Sequence, residues 1–443
     1  MADIQVVEMA GGRCRVLMGD VREALKAVPA GSVNCCVSSP PYWALRSYLG
    51  KDDPLKPLEI GGEKTPEEYI SNLVGVYEGV KRAMHETGVC WVNLGDSYGG
   101  KDGSQQCLIP HRFALAMQAA GWYLRSTVVW KKASPMPESV NGWRWERCRI
   151  KIGKQKAIPS NAGELGDIKH GKPYSVSPDW LAQWQDCPGC DKCRSNGGYV
   201  LRRGNWRSTT GHEYIFQFAK SDGYFCDAEA VKEPAATSTI SRNKYTRILD
   251  DPDEQFSVQH DHEFAGSTAN PRSVWTISPE PCKFAHYASF PSGLPRRCIR
   301  ASVSEKGRCP KCGVPWSPVV EKQKNIDQKD RIADRQAKPK GDENRTTAPN
   351  QSLVESYSVL DYRPSCQCPP ADSVPCLVMD PFAGTGTTLA VAVELGCEAI
   401  GVELNPAYLP MIEERLKDAD KARKRIPVPI EADKPIEGKV SFF

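Results

Sequence analysis

Two short stretches of this 443-residue chain carry side chains of types and spacings suited to chemistry. The first is "SSPPYW", Ser38 to Trp43, which follows directly on the apolar run "VNCCV". That run reads as a buried strand, and Cys35 and Cys36 inside it read as core residues. The two prolines fix the backbone as it leaves the strand, so Ser39, Pro40, Pro41 and the Tyr42 ring sit on a stiff turn. The second stretch is "VMDPFAGTGTT", an apolar strand that ends in Asp380 and opens into a turn bearing Phe382, Gly384 and Gly386. A helix is predicted to start near Thr387. Glycines let the backbone of such a turn approach a ligand closely, because no side chain stands in the way. After that helix, "AIGVEL" is a further strand ending in Glu403, 23 residues beyond Asp380. An acid at that distance and at a strand tip is placed to grip ribose hydroxyls. The turn is not G-x-G-x-x-G and lacks the Gly-Lys-Ser/Thr of a phosphate loop, which points to a nucleoside ligand without a pyrophosphate. The plainer alternatives are an ordinary tight turn with an acidic strand end, and a proline pair that merely ends a strand while Tyr42 packs in the core.

Both stretches need a sheet to position them. Residues 13–42 read strand, turn, helix, strand. A long helix follows, with Thr65 as cap, Pro66 at the first helical position and Glu68 closing a capping box. Its apolar residues Ile70, Leu73, Val74, Tyr77 and Val80 keep helical spacing. "GVCWVNLGD" is the next strand, then "PHRFALAMQAAG" and "WYLRSTVVW" give a helix and a strand. Strands alternating with helices imply a doubly wound α/β sheet. Residues 131–210 break the rhythm with Trp, Arg, Lys, Gly and Pro, and "GHEYIFQFAKSDGYF" restores strand character. Residues 321–350 are charged and poor in apolar residues, as in a loop or insertion. The tail after Lys421 is basic, then Pro-rich. No internal repeat is present.

Net charge is +4, too small to demand a polyanionic partner and compatible with one if Lys and Arg cluster. They do cluster: "NGWRWERCRIKIGKQK" and "VLRRGNWRSTTGH" interleave Trp with basic residues, a mixture suited to phosphate contacts and base stacking. Arg144, Arg147, Arg202, Arg203 and Arg207 are the candidate contacts, against the alternative of a solvated basic face. No run of about 18 apolar residues exists, so no membrane span is expected. The first residues lack the basic and apolar regions of a secretion signal, which predicts a cytoplasmic protein. The 18 cysteines are therefore read as reduced, and close spacings suggest metal before disulfides. Cys309 and Cys312 of "CPKC" pair with Cys366 and Cys368 of "CQC" as four thiolates for a tetrahedral structural zinc. "CPGCDKC" offers Cys187, Cys190 and Cys193, with Cys148 or His170 as the fourth ligand of a second zinc. Neither site should keep an open position, so neither should be catalytic.

Taken together, "DPFAGTGTT" resembles motif I of S-adenosylmethionine-dependent DNA methyltransferases and "SSPPYW" resembles their motif IV. Motif IV precedes motif I here, which resembles the β-class order of the amino-methyltransferases. "GDVREAL", "VNLGDSYGG", "VVWKKASPMPES", "HEYIFQFAKS", "HYASFPSGL" and "GVELNPAY" are similar to further family segments in family order, so the match spans most of the chain. The resemblance implies a circularly permuted Rossmann-like methyltransferase sheet. Its catalytic half would be 1–135, with target recognition at 136–210 and a return to the core, including motif X, at 211–300. A zinc-ribbon-like insertion would fill 301–372 and the cofactor half 373–420, leaving 421–443 as tail.

It also implies roles. Methyl transfer would go to adenine N6 or cytosine N4 of a flipped base in duplex DNA, and Ser at the head of motif IV leans towards cytosine. The Ser39 hydroxyl and the Pro40 carbonyl would accept the amino protons, and Tyr42 would stack on the base. Asp380, Phe382, Gly384 and Gly386 would line the cofactor pocket, Glu403 would hold the ribose, and His286, Ala288, Phe290 and Pro291 would contribute through motif X. His286 reads equally well as a structural histidine. Asn405 and Pro406 read as a helix cap and first-turn proline, and Asp20 either faces the cofactor or caps "VREALKAV". A homodimer is expected by resemblance. The rival readings are an RNA or protein amide methyltransferase and a zinc-containing DNA-binding protein on a catalytically dead fold.

Overall fold

The computed structural model describes residues 4–45, 47–99, 105–133, 135, 142–156, 180–234, 268–280, 290–323 and 356–425. His170, His286 and Ala288 lie outside the described residues, as does most of the charged stretch 321–350. The chain divides into two compact units, one made of Met1–Ser134 with Gly211–Phe443 and the other of Pro135–Thr210.

The first unit is built on a nine-stranded sheet. In chain order its strands are β1 (Gln5–Met9), β2 (Cys14–Met18), β3 (Val33–Ser38), β4 (Met84–Leu94), β5 (Tyr123–Lys132), β6 (His212–Ala219), β7 (Val274–Ile277), β8 (Leu377–Asp380) and β9 (Glu398–Glu403). Across the sheet they run β1-β2-β9-β8-β3-β4-β6-β5-β7. β2, β9, β8, β3 and β4 are mutually parallel. β6 alone is antiparallel to both of its neighbours, β4 and β5, and β1 turns back along the edge.

The central strands read as continuous apolar runs because both of their faces are covered. In β3, Val33 and Cys36 face one core while Cys35 and Val37 face the other. Helices α2 (Pro66–Ala83) and α3 (Ile109–Ala119) bury Tyr69, Leu73, Tyr77 and Phe113 against the first. Helices α4 (Gly293–Ser302), α5 (Thr387–Glu394) and α6 (Leu409–Arg425) bury Leu294, Leu389 and Ile412 against the second. Cys35 and Cys36 are fully buried, and burial pushes both thiols well above their ordinary pKa, so they are packing groups. At the start of α2, Thr65 Oγ1 accepts from the Glu68 amide at 3.2 Å, while the Glu68 carboxylate reaches back to the Lys64 amide rather than to that of Thr65. Val74 is only partly buried, and Tyr69 and Val76 complete the buried stripe instead.

One buried amide ties the lower end of the sheet together. Asn34 Nδ2 donates to the Gly313 carbonyl at 2.9 Å, and its Oδ1 accepts from the Leu377 amide at 3.0 Å. Asn34 thus joins β3, the first residue of β8 and the loop after Cys312. His85 adds a contact to the Cys312 carbonyl at 2.9 Å, and Arg308 donates to the Ser32 carbonyl at 2.6 Å. Beyond that loop, strands Ser317–Gln323 and Ser356–Arg363 form an antiparallel hairpin in which Gln323 faces Ser356.

Among the described residues the second unit holds two antiparallel strand pairs. Trp143–Arg147 pairs with Tyr199–Arg203, and Arg149–Lys156 pairs with Trp180–Asp186. Among the described residues no helix is long and apolar enough to cross a membrane.

Asn34→Ala leaves a buried N–H and a buried carbonyl without partners. It is expected to cost about 2–4 kcal/mol of unfolding free energy, measured by urea denaturation. Asn34→Asp keeps the acceptor for Leu377 but buries a carboxylate against the Gly313 carbonyl, and at neutral pH should cost at least as much.

Candidate active site

The exits of β3 and β8 stand side by side because the two strands are parallel neighbours, with Cys35 opposite Val378 and Cys36 opposite Met379. From β8 the chain continues to β9 on one side, and from β3 to β4 on the other. Their C-terminal ends therefore flank a topological switch point, where open α/β sheets bind ligands. A cavity open to solvent lies there. Ser39 and Pro41 line it from the first turn, Phe382 and Gly384 from the second, and Glu403, Asn405 and Phe290 from elsewhere in the fold. The two chemically suggestive stretches, far apart in sequence, share this one cavity.

The two acids differ in setting. Glu403 is buried and ends β9; its carboxylate accepts from the Gly384 amide at 2.7 Å and from the Asn405 amide at 2.8 Å. Burial nevertheless pushes its pKa up to about 7, with the nearby Asp380 adding to the rise. Asp380 lies beneath the turn rather than in the cavity wall and accepts from the Phe382 amide at 3.0 Å. Burial pushes it up to about 6, against the pull of that amide and of the Thr388 and Ser38 hydroxyls. Gly384 has φ +53 with open space where a Cβ would stand. Gly386 has φ +77, but its bare Cα faces Ile412 of α6, 3.1 Å from where a Cβ would sit. Gly386 therefore serves the packing of α5 on α6, and it does not line the cavity. Pro291, buried beside Phe290, lies outside the lining as well. Asp20 caps α1 (Val21–Ala24) by accepting from the Arg22 amide, while its neighbours Gly19 and Val21 reach the cavity. Asn405 both caps the following turn, through Ala407, and lines the cavity.

The proline turn is pinned from several directions. The Tyr69 hydroxyl donates to the Pro41 carbonyl at 2.8 Å, Trp43 Nε1 to the Glu63 carbonyl at 2.9 Å, and Ser97 Oγ to the Trp43 carbonyl at 2.7 Å. Pro40 is buried and, like Tyr42, lies outside the cavity lining. The Tyr42 ring is partly buried against the first core, and Ser39 Oγ is 3.4 Å from its hydroxyl. That hydroxyl donates to Glu213 Oε2 at 2.5 Å and accepts from Asn93 Nδ2 at 2.8 Å. Sequence reasoning did not single out Glu213 or Asn93. The available signal was a carboxylate inside the otherwise apolar strand "HEYIFQFA".

Among the described residues, eight cysteines form two groups, each with its four sulfur atoms within 4.8 Å of one another: Cys309, Cys312, Cys366 and Cys368; and Cys148, Cys187, Cys190 and Cys193. Cys148 completes the second set. Backbone N–H groups at Cys312 and Lys311 hold the Cys309 thiol down at about 6, and the Lys192 N–H holds Cys190 at about 7. Two closed sets of four thiols, each with one thiol pulled below its ordinary pKa, suit a tetrahedral cation with no open position.

In the second unit, Trp143, Trp145 and Tyr199 are exposed. Arg203 lies over the Trp143 ring at 4.9 Å and Arg147 over Tyr199 at 5.4 Å. Arg144 and Arg202 both pair with Glu146, and Arg147 also pairs with Asp186. Arg207, shortly after the Tyr199–Arg203 strand in sequence, is partly buried.

A family model described as N6/N4 methyltransferase, DNA methylase, matches residues 33–309 and 376–414. The chain is similar to the Type II methyltransferase M.SmaI of Serratia marcescens, with 24% identity over 429 residues, 91% of this chain and 90% of that one. M.XycI of Xanthomonas campestris pv. cyanopsidis is 25% identical over 425 residues, 90% of this chain and 86% of the relative. Among solved structures, the cytosine-N4-specific PvuII DNA methyltransferase aligns over 93% of this chain and 92% of its own, with 14% identity and a TM-score of 0.44.

Because the Glu403 pKa is raised on folding, its contribution to stability in the ligand-free protein is fully present below about 4.5 and is lost as pH rises through about 7. The loss is on the order of 3 kcal/mol. Glu403→Gln should therefore melt higher than the unsubstituted protein at pH 8 and show little difference at pH 4.5, measured by differential scanning fluorimetry. Asp380 adds a decline of the same sign that both proteins share.

Proposed function

The chain belongs to the N6/N4 methyltransferase family of DNA methylases, and from that premise we propose that it is a site-specific, Type II DNA methyltransferase. It moves a methyl group from S-adenosylmethionine to the exocyclic amino group, adenine N6 or cytosine N4, of a base rotated out of duplex DNA. One observation carries this reading: Ser39 and Pro41 line the same cavity as Phe382, Gly384 and Glu403, at the junction of two adjacent parallel strands. The order of those strands, with the Asp380 strand late in the chain yet central in the sheet, fits a circularly permuted Rossmann-like arrangement.

The cavity's chemistry fits the cofactor. Glu403 presents a carboxylate to ribose hydroxyls, Phe382 and Phe290 supply apolar surface, and Gly384 leaves backbone bare where the ligand passes. Asp380 acts from below, holding the Phe382 amide and hence the turn. When bound, S-adenosylmethionine supplies an electrophilic methyl group on a positively charged sulfur. The protein's task is to make an amino nitrogen attack it. That nitrogen's lone pair is delocalised into the base ring, so acceptors must hold its protons and draw it towards tetrahedral geometry. Ser39 Oγ and the Pro40 carbonyl are those acceptors in this reading, held by the prolines at small entropic cost. The Tyr42 ring offsets the few kcal/mol lost on unstacking the base. No covalent nucleophile is needed, which agrees with the buried, inert state of Cys35 and Cys36.

Target recognition is assigned to the Pro135–Thr210 unit. Its exposed Trp143, Trp145 and Tyr199, with Arg147 and Arg203, offer stacking surface and phosphate-seeking charge on one antiparallel strand pair. Structural zinc in the two four-cysteine sets would fold these small polar lobes.

The test is tritium transfer from labelled S-adenosylmethionine to duplex DNA, RNA or protein, followed by modified-base mapping after expression in an unmethylated host. Transfer to DNA is expected, and Ser39→Ala should reduce it by ~100-fold or more while cofactor binding persists. Transfer only to RNA or protein, or none to any acceptor, would sink the proposal. Metal analysis of the purified protein should find two zinc ions per chain, and Cys148→Ser should lose one of them. Retention of both in that variant would remove Cys148 from the ligand set.

A further inference from the structure

The carboxylate of Glu213 sits at the centre of a network that the reaction scheme above does not use. Its Oε2 accepts from the Tyr42 hydroxyl at 2.5 Å and from Asn93 Nδ2 at 2.8 Å, and its Oε1 pairs with Lys132 Nζ at 2.5 Å. Asn93 Nδ2 also donates to the Tyr42 hydroxyl at 2.8 Å, closing a triangle. The hydroxyl thus uses both its donor and its acceptor capacity on fixed partners. The ring is confined from the side too: a Cβ on Gly95 would fall 2.7 Å from Tyr42 Cε2, so the absence of a side chain there makes the room the ring occupies.

The members come from consecutive elements of the sheet. Tyr42 follows β3, Asn93 lies near the end of β4, Glu213 near the start of β6, and Lys132 at the end of β5. The strand order β3-β4-β6-β5 places them along one edge. Glu213 reaches that edge because β6 runs against its neighbours, so its first residues lie where theirs end. A largely buried carboxylate is costly unless paired, and Lys132 provides the pairing. A structural anchor for a strand end would need no tyrosine hydroxyl. The geometry places a 2.5 Å hydrogen bond on the one ring that is to serve as a stacking surface.

Resting on the reading of Tyr42 as the platform for the flipped base, we propose that Glu213 is a positioning residue for methyl transfer. It holds the Tyr42 ring through its hydroxyl, and Asn93 and Lys132 hold Glu213. It touches neither base nor cofactor in this role. Its effect is to remove the rotational freedom that would let the ring, and the base on it, drift from the line of attack; a displacement of about 1 Å can cost ~100-fold in rate.

A double-mutant cycle on the full chain tests this. Methyl transfer to duplex DNA is measured at saturating cofactor, and cofactor affinity is measured separately by calorimetry. Tyr42→Phe and Glu213→Ala are each expected to lower kcat by ~10- to 100-fold with cofactor affinity unchanged. The double variant should be no slower than the worse single one, because both remove the same constraint. Glu213→Gln, which keeps an acceptor for the hydroxyl, should recover most of the rate. Wild-type kcat in Glu213→Ala, or losses that multiply in the double variant, would overturn the proposal. So would a Glu213→Gln defect as deep as that of Glu213→Ala beside an unaffected Tyr42→Phe. If the unsubstituted protein transfers no methyl to DNA, the fault lies instead with the functional reading.

Discussion

Val378 and Met379 lie opposite Cys35 and Cys36 in two parallel strands buried on both faces. That pairing sets the height at which each strand ends, and hence the height of the two turns that follow. Parallel register in a doubly covered sheet is stringent, because a one-residue slip would exchange the residues assigned to the two cores. Cys36 and Met379 belong to one core, Cys35 and Val378 to the other. Asn34 reinforces the register by bonding across it at the opposite end. The cavity inherits its shape from this pairing; the turns only furnish its walls.

Within the cavity the sheet imposes an electrostatic cost that the turns partly offset. Asp380 and Glu403 end adjacent strands, Asp380 beneath the turn and Glu403 in the cavity wall, and burial disfavours charge on both. Backbone N–H groups of Phe382, Gly384 and Asn405 pull against that tendency. The result is a pair of acids close to balance between charged and neutral forms near neutral pH. A ligand offering hydroxyl donors to Glu403 would tip that balance towards the carboxylate.

Much of this was legible in the chain because its signals were local. Apolar runs followed by Pro-Pro-Tyr or Asp-Pro-Phe-Ala-Gly mark strand exits, Thr65 and Pro66 mark a helix start, and closely spaced cysteines mark the two four-cysteine groups. What escaped depends on partners distant in sequence. Gly386 reads like a ligand-facing glycine, yet its constraint is Ile412, which no local pattern reveals. The choice of Cys148 beside the "CPGCDKC" cluster needed the hairpin that returns it to Cys187. Glu213 and Asn93 look like ordinary polar positions in strands, and only the sheet order brings them to Tyr42. Tyr42, expected to stack on the base, stands one step removed from the cavity wall, tied down by its hydroxyl.

The single reversed strand of the inner sheet has a mechanical consequence. Glu213, near the first residue of β6, is fastened at the edge that carries the proline turn, and Lys220, just past its last, donates to the Met84 carbonyl at 3.1 Å at the far edge. The strand behaves as a tie-rod with a bolt at each end. Inserting or deleting one residue between the bolts would detach one of them and turn the intervening side chains over. The irregular step opposite β5 at Gln217/Phe218 is then the slack that lets one rod fit two partners of unequal pitch.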